Sequence, residues 1–346
     1  MALDQTALKL LVNWFPECRR EMPWRTDPSP YHVWVSEVML QQTRVDTVIP
    51  YYERFIAALP DPEALAACPQ DALMKLWEGL GYYSRVRHMQ EAAAVMVREH
   101  GGQVPDSMEA LRKLPGIGSY TAGAVLSIAF HRPVPVVDGN VLRVVSRLNG
   151  SFEDVRSQSV RKRMEGTLAG LLSEGELDPS TVNQALMELG ALVCIPNGQP
   201  KCGSCPVRGR CEAHLRGLTE EIPVLSPRIP KKNALLTVLV LRRGNLFGVV
   251  KRPGKGLLSG LYGFPVSEGR LSEAEASGAA RALGFRVVSS ERLRPARHVF
   301  THLVWEMDAY LLNVEGDCPD VRFVTPDELA DRIALPAAFR KWPELF

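Results

Sequence analysis

Residues 114–140, LPGIGSYTAGAVLSIAFHRPVPVVDGN, restrict the fold of this chain more than any other stretch. Leu114-Pro115 closes one predicted helix. Gly116-Ile117-Gly118 then supplies a tight turn, where glycine takes positive φ without a Cβ clash. Ser119 begins a second helix of small and apolar residues that runs to Phe130. Two short helices joined in this way leave backbone N–H groups at the start of the second with no intrahelical partner. Together with the helix dipole, those groups suit a phosphate. Glycines at such a corner serve close helix packing equally well, so the hairpin alone does not decide its role. An apolar run then delivers Asp138 to the start of another helix, DGNVLRVVSRL. A plain N-cap needs no more than that. A carboxylate beside a phosphate-binding hairpin points instead to chemistry on DNA.

At 346 residues the chain has room for two domains, each with its own core. A net charge of +2 confines any nucleic-acid surface to a local basic patch. The apolar run at 234–241 is far too short to cross a bilayer, and the opening MALDQTALKLLVNWF lacks the basic n-region and cleavage site of a signal peptide. The sequence therefore predicts no membrane association. No coiled-coil or oligomerisation pattern appears, and a monomer is expected.

Apolar residues recur at helical spacing over 7–15, 33–58, 62–80 and 84–100, and no β alternation persists before residue 216. Residues 217–232 hold three prolines and mixed charge, the composition of a linker. Beyond it the period changes. Strands are predicted at 234–242 and 246–251 around a Gly244-Asn245 turn, and again at 304–312. A closing helix has Thr325 as its cap and Pro326 at its first position. The expected organisation is an all-helical domain over 1–216, a linker over 217–232, and a small α+β domain over 233–346.

Four of the seven cysteines fall in one loop, Cys194-x7-Cys202-x2-Cys205-x5-Cys211. This crowding suits a metal site in a reducing compartment, and hence a cytoplasmic protein, better than a disulfide scaffold. Four thiolates at this spacing accept either tetrahedral zinc or an iron–sulfur cluster.

Taken together, the hairpin, the aspartate 20 residues past its second glycine and the four-cysteine loop resemble the endonuclease III, or helix-hairpin-helix, superfamily of DNA glycosylases. More narrowly, PWR at 23–25, WVSEVMLQQTRV at 34–45, WEGLGYYSRVRHM at 77–89, VVDGNVLRV at 136–144 and NQALMELGALVC at 183–194 resemble the MutY family of adenine glycosylases. The resemblance implies a 4Fe–4S cluster on Cys194, Cys202, Cys205 and Cys211, rather than zinc. It also implies removal of adenine mispaired with 8-oxoguanine or guanine in double-stranded DNA. Bifunctional relatives carry a Schiff-base lysine after the hairpin; Tyr120 stands there in this chain, and a phenol cannot form an imine. The expected reaction is hydrolysis alone.

Hydrolysis of a glycosidic bond needs a protonated acid for the leaving base and an ionised carboxylate for the oxocarbenium-like sugar. By resemblance these are Glu37 and Asp138, with Tyr120 and Asn140 positioning acid, sugar or water. Arg20, Trp24, Arg25 and Gln184 match positions lining the adenine pocket. A base must leave the duplex before it can react. Gln41-Gln42 resembles the family's wedge and Tyr82 its intercalating partner, while Gly116, Gly118 and Ser119 form the phosphate-binding hairpin.

In the second domain, RPGKGLLSGLYGFP at 252–265 and RHVFTHL at 297–303 resemble a MutT-like (Nudix-like) domain. His298, Phe300, Thr301 and His302 fit its 8-oxoguanine-reading loop. The stretch GAARALGF at 278–285 lacks the paired glutamates a Nudix hydrolase needs for Mg²⁺, so this domain is expected to bind rather than cut. The sequence departs from the family pattern in three places. The first cysteine gap is seven residues where six is usual, Ser119 replaces a basic residue, and Tyr262-Gly263 replaces Trp-Glu. Two other readings compete: an endonuclease III-like lyase, opposed by Tyr120, and a non-catalytic lesion-binding protein, opposed by the pair Glu37 and Asp138.

Overall fold

The computed structural model describes residues 2–174, 176–227 and 230–345. Its chain divides into two compact units, one of residues 1–67 and 87–227, the other of residues 68–86 and 228–346. Residues 68–86 thus group with the C-terminal part. No helix among the described residues is long and apolar enough to cross a membrane.

The helices in chain order are α1 (Gln5–Cys18), α2 (Pro23–Thr26), α3 (Pro30–Leu40), α4 (Val45–Ala58), α5 (Pro62–Ala67), α6 (Gln70–Leu76), α7 (Ser84–His100), α8 (Met108–Lys113), α9 (Ser119–Ile128), α10 (Gly139–Leu148), α11 (Gln158–Ser173), α12 (Pro179–Leu192) and α13 (Glu212–Leu215). The helical stretch expected over 33–58 is broken after Leu40, where Gln42 takes a left-handed φ of 60° and α4 starts afresh. Likewise 62–80 splits into α5 and α6 at Cys68-Pro69, since the residue before proline avoids the helical region. In the first unit, one core packs α1, α10, α11 and α12 through Leu8, Leu11, Val141, Val145, Leu168, Leu186 and Leu189. Three of the four loop cysteines pack on its edge: Cys194, Cys205 and Cys211.

The second unit is a mixed sheet of β1 (Lys232–Arg243), β2 (Leu246–Lys251), β3 (Tyr262–Gly263), β4 (Val266–Glu268), β5 (Arg286–Val299), β6 (Leu303–Glu315) and β7 (Arg322–Val324). The strand order is β3-β2-β1-β6-β5; β4 pairs with β1 and β7 with β2. Strands β1 and β6 run parallel along their whole length, with Val238 opposite Ala309. Alternate residues of β1 face opposite ways. Leu236, Val238 and Val240 meet α15 (Pro326–Asp331) and the C-terminal Phe339 and Trp342; Leu239 and Leu241 meet α14 (Glu273–Ala282). Thr325 caps α15 in a reciprocal capping box with Glu328, and Pro326 is its first residue. Strand β5 carries no apolar alternation in the sequence. It is an edge strand, mostly solvated on both faces, with a register shift between Leu293 and Ala296 that accommodates Pro295. Residues 68–86 belong here because Glu78 accepts hydrogen bonds from the Leu335 amide at 2.9 Å and from Arg340 at 2.6 Å, while Lys75 donates to the Ile333 carbonyl at 3.3 Å.

Helices α10 and α12 meet where Gly190 faces Asn140. A Cβ at Gly190 would stand 2.5 Å from the Asn140 Cβ and 3.1 Å from its Cα, so the two backbones approach as closely as glycine permits. Gly190→Ala is therefore expected to destabilise the helical unit by roughly 1–3 kcal/mol and to shift the start of α10. Thermal unfolding of the purified variant checks the first effect, and amide hydrogen exchange across residues 138–142 the second.

Candidate active site

A cavity of about 1080 Å³ opens in the first unit, lined by α2, α3, α9, α10 and α12 and the segments between them. Its wall contains Arg20, Trp24, Arg25, Glu37, Gln41, Gln42, Tyr120, Asp138, Asn140 and Gln184. Residues from distant parts of the sequence thus meet in one place.

Glu37 lies on α3 and is only 7% exposed. The Tyr120 hydroxyl, in the first turn of α9, donates to Glu37 Oε2 at 2.8 Å. Burial, reinforced by the negative charge of Asp138, pushes the Glu37 carboxyl up to about 7, against the opposing effect of the Tyr120 hydrogen bond. Asp138 caps α10. Its Oδ1 accepts from the Val141 amide and its Oδ2 from Asn140 Nδ2, both at 2.7 Å. Burial raises the Asp138 carboxyl as well; these donors and the Arg143 charge oppose it. Among the two carboxyl groups, the better solvated by hydrogen-bond donors is Asp138. The pairing sets one proton-holding carboxyl beside one that several N–H groups favour as the anion.

The loop that brings Asp138 here is pinned by Asn183, which is fully buried. Its Oδ1 accepts from the Val136 amide at 2.9 Å, and its Nδ2 donates to Ser127 Oγ at 2.6 Å and to the Val134 carbonyl at 2.9 Å. On the other side, Arg143 Nη2 donates to Asn140 Oδ1 and the Gly190 carbonyl, both at 2.8 Å, and Arg143 Nε reaches the Cys194 carbonyl at 2.7 Å. Arg147 on the same helix donates to Cys194 Sγ at 3.3 Å. A continuous hydrogen-bond path runs from Asp138 to the cysteine loop.

The polar side of the cavity is organised by Glu188. It is 1% exposed and accepts from the Arg20 backbone amide at 2.8 Å, from Arg20 Nε at 2.9 Å and from Arg25 Nη2 at 3.0 Å. These donors outweigh its burial and hold its carboxyl down at about 2. Arg25 Nε also donates to Gln184 Oε1 at 3.0 Å, and Trp24 stands edge-on to Tyr52 with ring centroids 5.2 Å apart. Sequence reasoning missed Glu188, Arg143 and Arg147. The signal was present for Glu188: it follows Gln184 by four residues on α12 and shares its face.

The predicted hairpin forms between α8 and α9. Gly116 has a φ of 73°, and a Cβ there would meet His88 Cβ at 2.6 Å. Gly118 caps α9 with no side-chain hydrogen bond, which leaves the N–H groups at Ser119 and beyond open to an anion. Gln41 and Gln42 follow α3; Gln41 Nε2 reaches Thr121 Oγ1 at 3.4 Å. Gln42 and Tyr82 both hold left-handed φ angles, 60° and 47°, uncommon for residues with a side chain and frequent at functional sites.

Tyr82, His298, Phe300, Thr301 and His302 belong to the second unit, and none of them lines the cavity. There the Tyr82 hydroxyl and Thr301 Oγ1 are 2.5 Å apart, although the Tyr82 side chain is 44% exposed. Residues 300–302 form the turn between β5 and β6, closed by the Phe300 amide on the Leu303 carbonyl at 2.8 Å. Phe300 stacks edge-on between His298 and Trp305, with centroids 4.5 and 5.0 Å away. Burial lowers the His298 pKa, with Lys341 adding to the effect.

The four loop cysteines are free thiols within electrostatic reach of one another. Burial pushes Cys205 up to about 12 and also raises Cys202 and Cys211. Such thiols ionise when a cation takes their protons' place, and backbone amides of Val207, Ala213 and His214 already point at sulfur. The donor set fits an iron–sulfur group, although among the described residues no three donors gather around a point that would hold a single metal ion.

A family profile described as HhH-GPD superfamily base excision DNA repair protein matches residues 35–169, and a NUDIX domain profile matches residues 237–344. An adenine DNA glycosylase of Rattus norvegicus is 34% identical over 99% of this chain and 79% of its own. The chain belongs to the adenine DNA glycosylase family. An adenine DNA glycosylase of Buchnera aphidicola (subsp. Baizongia pistaciae) is 35% identical over 74% of this chain and 72% of its own. Among solved structures, a trapped endonuclease III–DNA covalent intermediate superposes with a TM-score of 0.53 and 26% identity, covering 62% of this chain and 99% of that one. The helical unit of this family member therefore has the helix-hairpin-helix glycosylase fold, followed by a Nudix-like α+β sheet.

The raised Glu37 carboxyl has a consequence for stability. Its folded pKa, about 7, lies above the unfolded value, so its proton is held more tightly in the fold. The stability it contributes is complete below the unfolded pKa and is lost as pH rises through about 7. Glu37→Gln is accordingly expected to unfold at a higher temperature than the wild type at pH 8, by an amount corresponding to on the order of 2–3 kcal/mol. The gain should vanish near pH 4.5. Thermal melts of both proteins at the two pH values measure it.

Proposed function

We propose that this protein excises adenine mispaired with 8-oxoguanine or guanine in duplex DNA by hydrolysis of the N-glycosidic bond, and leaves the abasic strand intact. The observation that carries this reading is the Tyr120–Glu37 hydrogen bond at 2.8 Å beside Asp138, with burial pushing the Glu37 carboxyl up to about 7. Glu37 delivers its proton to N7 of adenine and turns the base into a leaving group. Asp138, fixed by Val141 and Asn140, stabilises the positive charge that develops on the sugar. Tyr120 orients the acid and offers no amine for a Schiff base. Arg20 and Arg25, held by Glu188, and Gln184, held by Arg25, line the base site with Trp24 as its apolar wall.

Gln41, Gln42 and Tyr82 fill the stack that the flipped base vacates, and the Gly116–Gly118 turn with Ser119 grips a phosphate of the same strand. Cys194, Cys202, Cys205 and Cys211 hold a 4Fe–4S cluster. When bound, it cross-links the loop that ends the helical domain and so fixes the Arg147 and Arg143 contacts. His298, Phe300, Thr301 and His302 read 8-oxoguanine in the other strand, with Phe300 offering a ring for stacking. Residues 1–216 and 233–346 are the catalytic and lesion-reading parts, and the second binds without cutting.

The deciding assay uses a labelled duplex with 8-oxoguanine opposite adenine, resolved with and without hot alkali. Strand scission at the adenine only after alkali is expected. Direct scission, trapped by borohydride, would bring back the lyase reading, and tight binding without product the lesion-binding one. With the same substrate, the single-turnover rate should fall roughly tenfold per unit above pH about 7, as Glu37 loses its proton, and fall again in acid, as Asp138 gains one. Chemical analysis should find about four iron and four labile sulfide per chain, lost when Cys202 is replaced by serine.

A further inference from the structure

Five arginines line the cavity: Arg19, Arg20, Arg25, Arg44 and Arg161. Arg20 and Arg25 spend their guanidinium groups on Glu188, and Arg19 and Arg44 are exposed. Arg161 is different. It projects from α11, is half-buried, and donates from Nη1 to the carbonyl of Val137, the residue directly before Asp138. Among the described residues it forms no ion pair. Of its five N–H donors one is used, so four remain for whatever enters the cavity. Its charge also acts on the Tyr120 hydroxyl, the group that donates to Glu37.

A half-buried cation without a carboxylate partner is costly unless a ligand supplies the anion. The ligand of this cavity, on the function proposed above, is a deoxyadenosine within a DNA strand, with its sugar over Asp138. The only charged groups within a few bonds of that sugar are its two flanking phosphodiesters. The fork of a guanidinium matches two phosphate oxygens. We propose that Arg161 binds a phosphodiester flanking the flipped deoxyadenosine. The contact seats the sugar against Asp138. It also neutralises a cation that would otherwise oppose positive charge on the ring, so a bare deoxyadenosine, lacking the phosphate, is a poor substrate. Arg161 is then a substrate-binding residue that selects the polymer over the free nucleoside.

The test uses the full chain and duplexes carrying 8-oxoguanine opposite a 2′-fluorinated deoxyadenosine, which resists hydrolysis and so reports binding. One of the two flanking linkages is replaced in turn by a neutral methylphosphonate. Wild type, Arg161→Gln and Arg161→Lys are compared by dissociation constant over a range of salt, and by single-turnover release from ordinary adenine. The glutamine variant should bind about tenfold more weakly and lose about one unit from the slope of log affinity against log salt. The lysine variant should keep most of that slope. A methylphosphonate at one of the two linkages should weaken the wild type about tenfold and leave the glutamine variant unchanged. Equal losses in both proteins at either linkage would overturn the proposal. So would a glutamine variant impaired only in single-turnover rate, because Arg161 would then act solely by holding the Val137 carbonyl. If the glutamine variant does not fold, a wild type indifferent to both methylphosphonates overturns it alone. A wild type that releases no adenine but shows the linkage effect refutes the proposed function while the phosphate contact stands.

Discussion

The structure of the helical unit depends on burying two carboxyl groups in one cavity without cancelling either. A carboxyl in an apolar wall keeps its proton, and a second carboxyl nearby strengthens that hold if the second is charged. Glu37 has the apolar wall of α3 and one hydroxyl donor; Asp138 has the end of a helix, an amide N–H and the Asn140 side chain. The difference between them is one of donors, and donors are fixed by backbone position. That is why so much of the unit serves to hold residues 134–140 in place.

Three anchors do this work. Asn183 ties the strand-like approach to Asp138 from inside the core, through four partners that satisfy a fully buried amide. Arg143 ties the first turn of α10 to the end of α12, and Gly190 lets the two helices come close enough for it to reach. Arg147 continues the chain of contacts to Cys194 and, through Nε, to the Ile222 carbonyl at 2.7 Å. The cysteine loop is thereby joined by hydrogen bonds to Asp138. Breaking any one of these buried groups leaves another unsatisfied, so their effects should not add independently.

The second unit reaches its stability by a different route. Its two cores lie on opposite faces of β1 and β6, whose alternate residues supply both, and α14 and the C-terminal segment cover one face each. The turn carrying Phe300 is held by the stack of His298, Phe300 and Trp305, rigid aromatic surfaces placed at a sheet end. Strand β5 was illegible in the sequence because an edge strand need not alternate. Its arginines, serines and Pro295 are what solvation and a register shift permit, and they erase the signal that β1, β2 and β6 show plainly.

The sequence by itself determined the helical character of the first part, the strands β1, β2 and β6, and the chemistry available. Glycine at 116 suited a left-handed turn, Asp138 before a helical period suited a cap, four cysteines in one loop suited a metal or an iron–sulfur cluster, and Tyr120 in place of an amine excluded an imine at that position. Each follows from a local property of a residue or from a spacing along one element. Which groups would face each other was decided by tertiary structure alone. Glu37 and Tyr120 are 83 residues apart, Arg20 and Glu188 are 168 apart, and no local pattern couples their positions. Nor does sequence distance reveal that Glu78 ties residues 68–86 to Leu335 and Arg340, or that among the described residues Arg161 is the half-buried cavity arginine without a carboxylate partner. A pKa of about 7 at Glu37 is a property of that packing, because burial and a neighbouring charge exist only once the chain has folded.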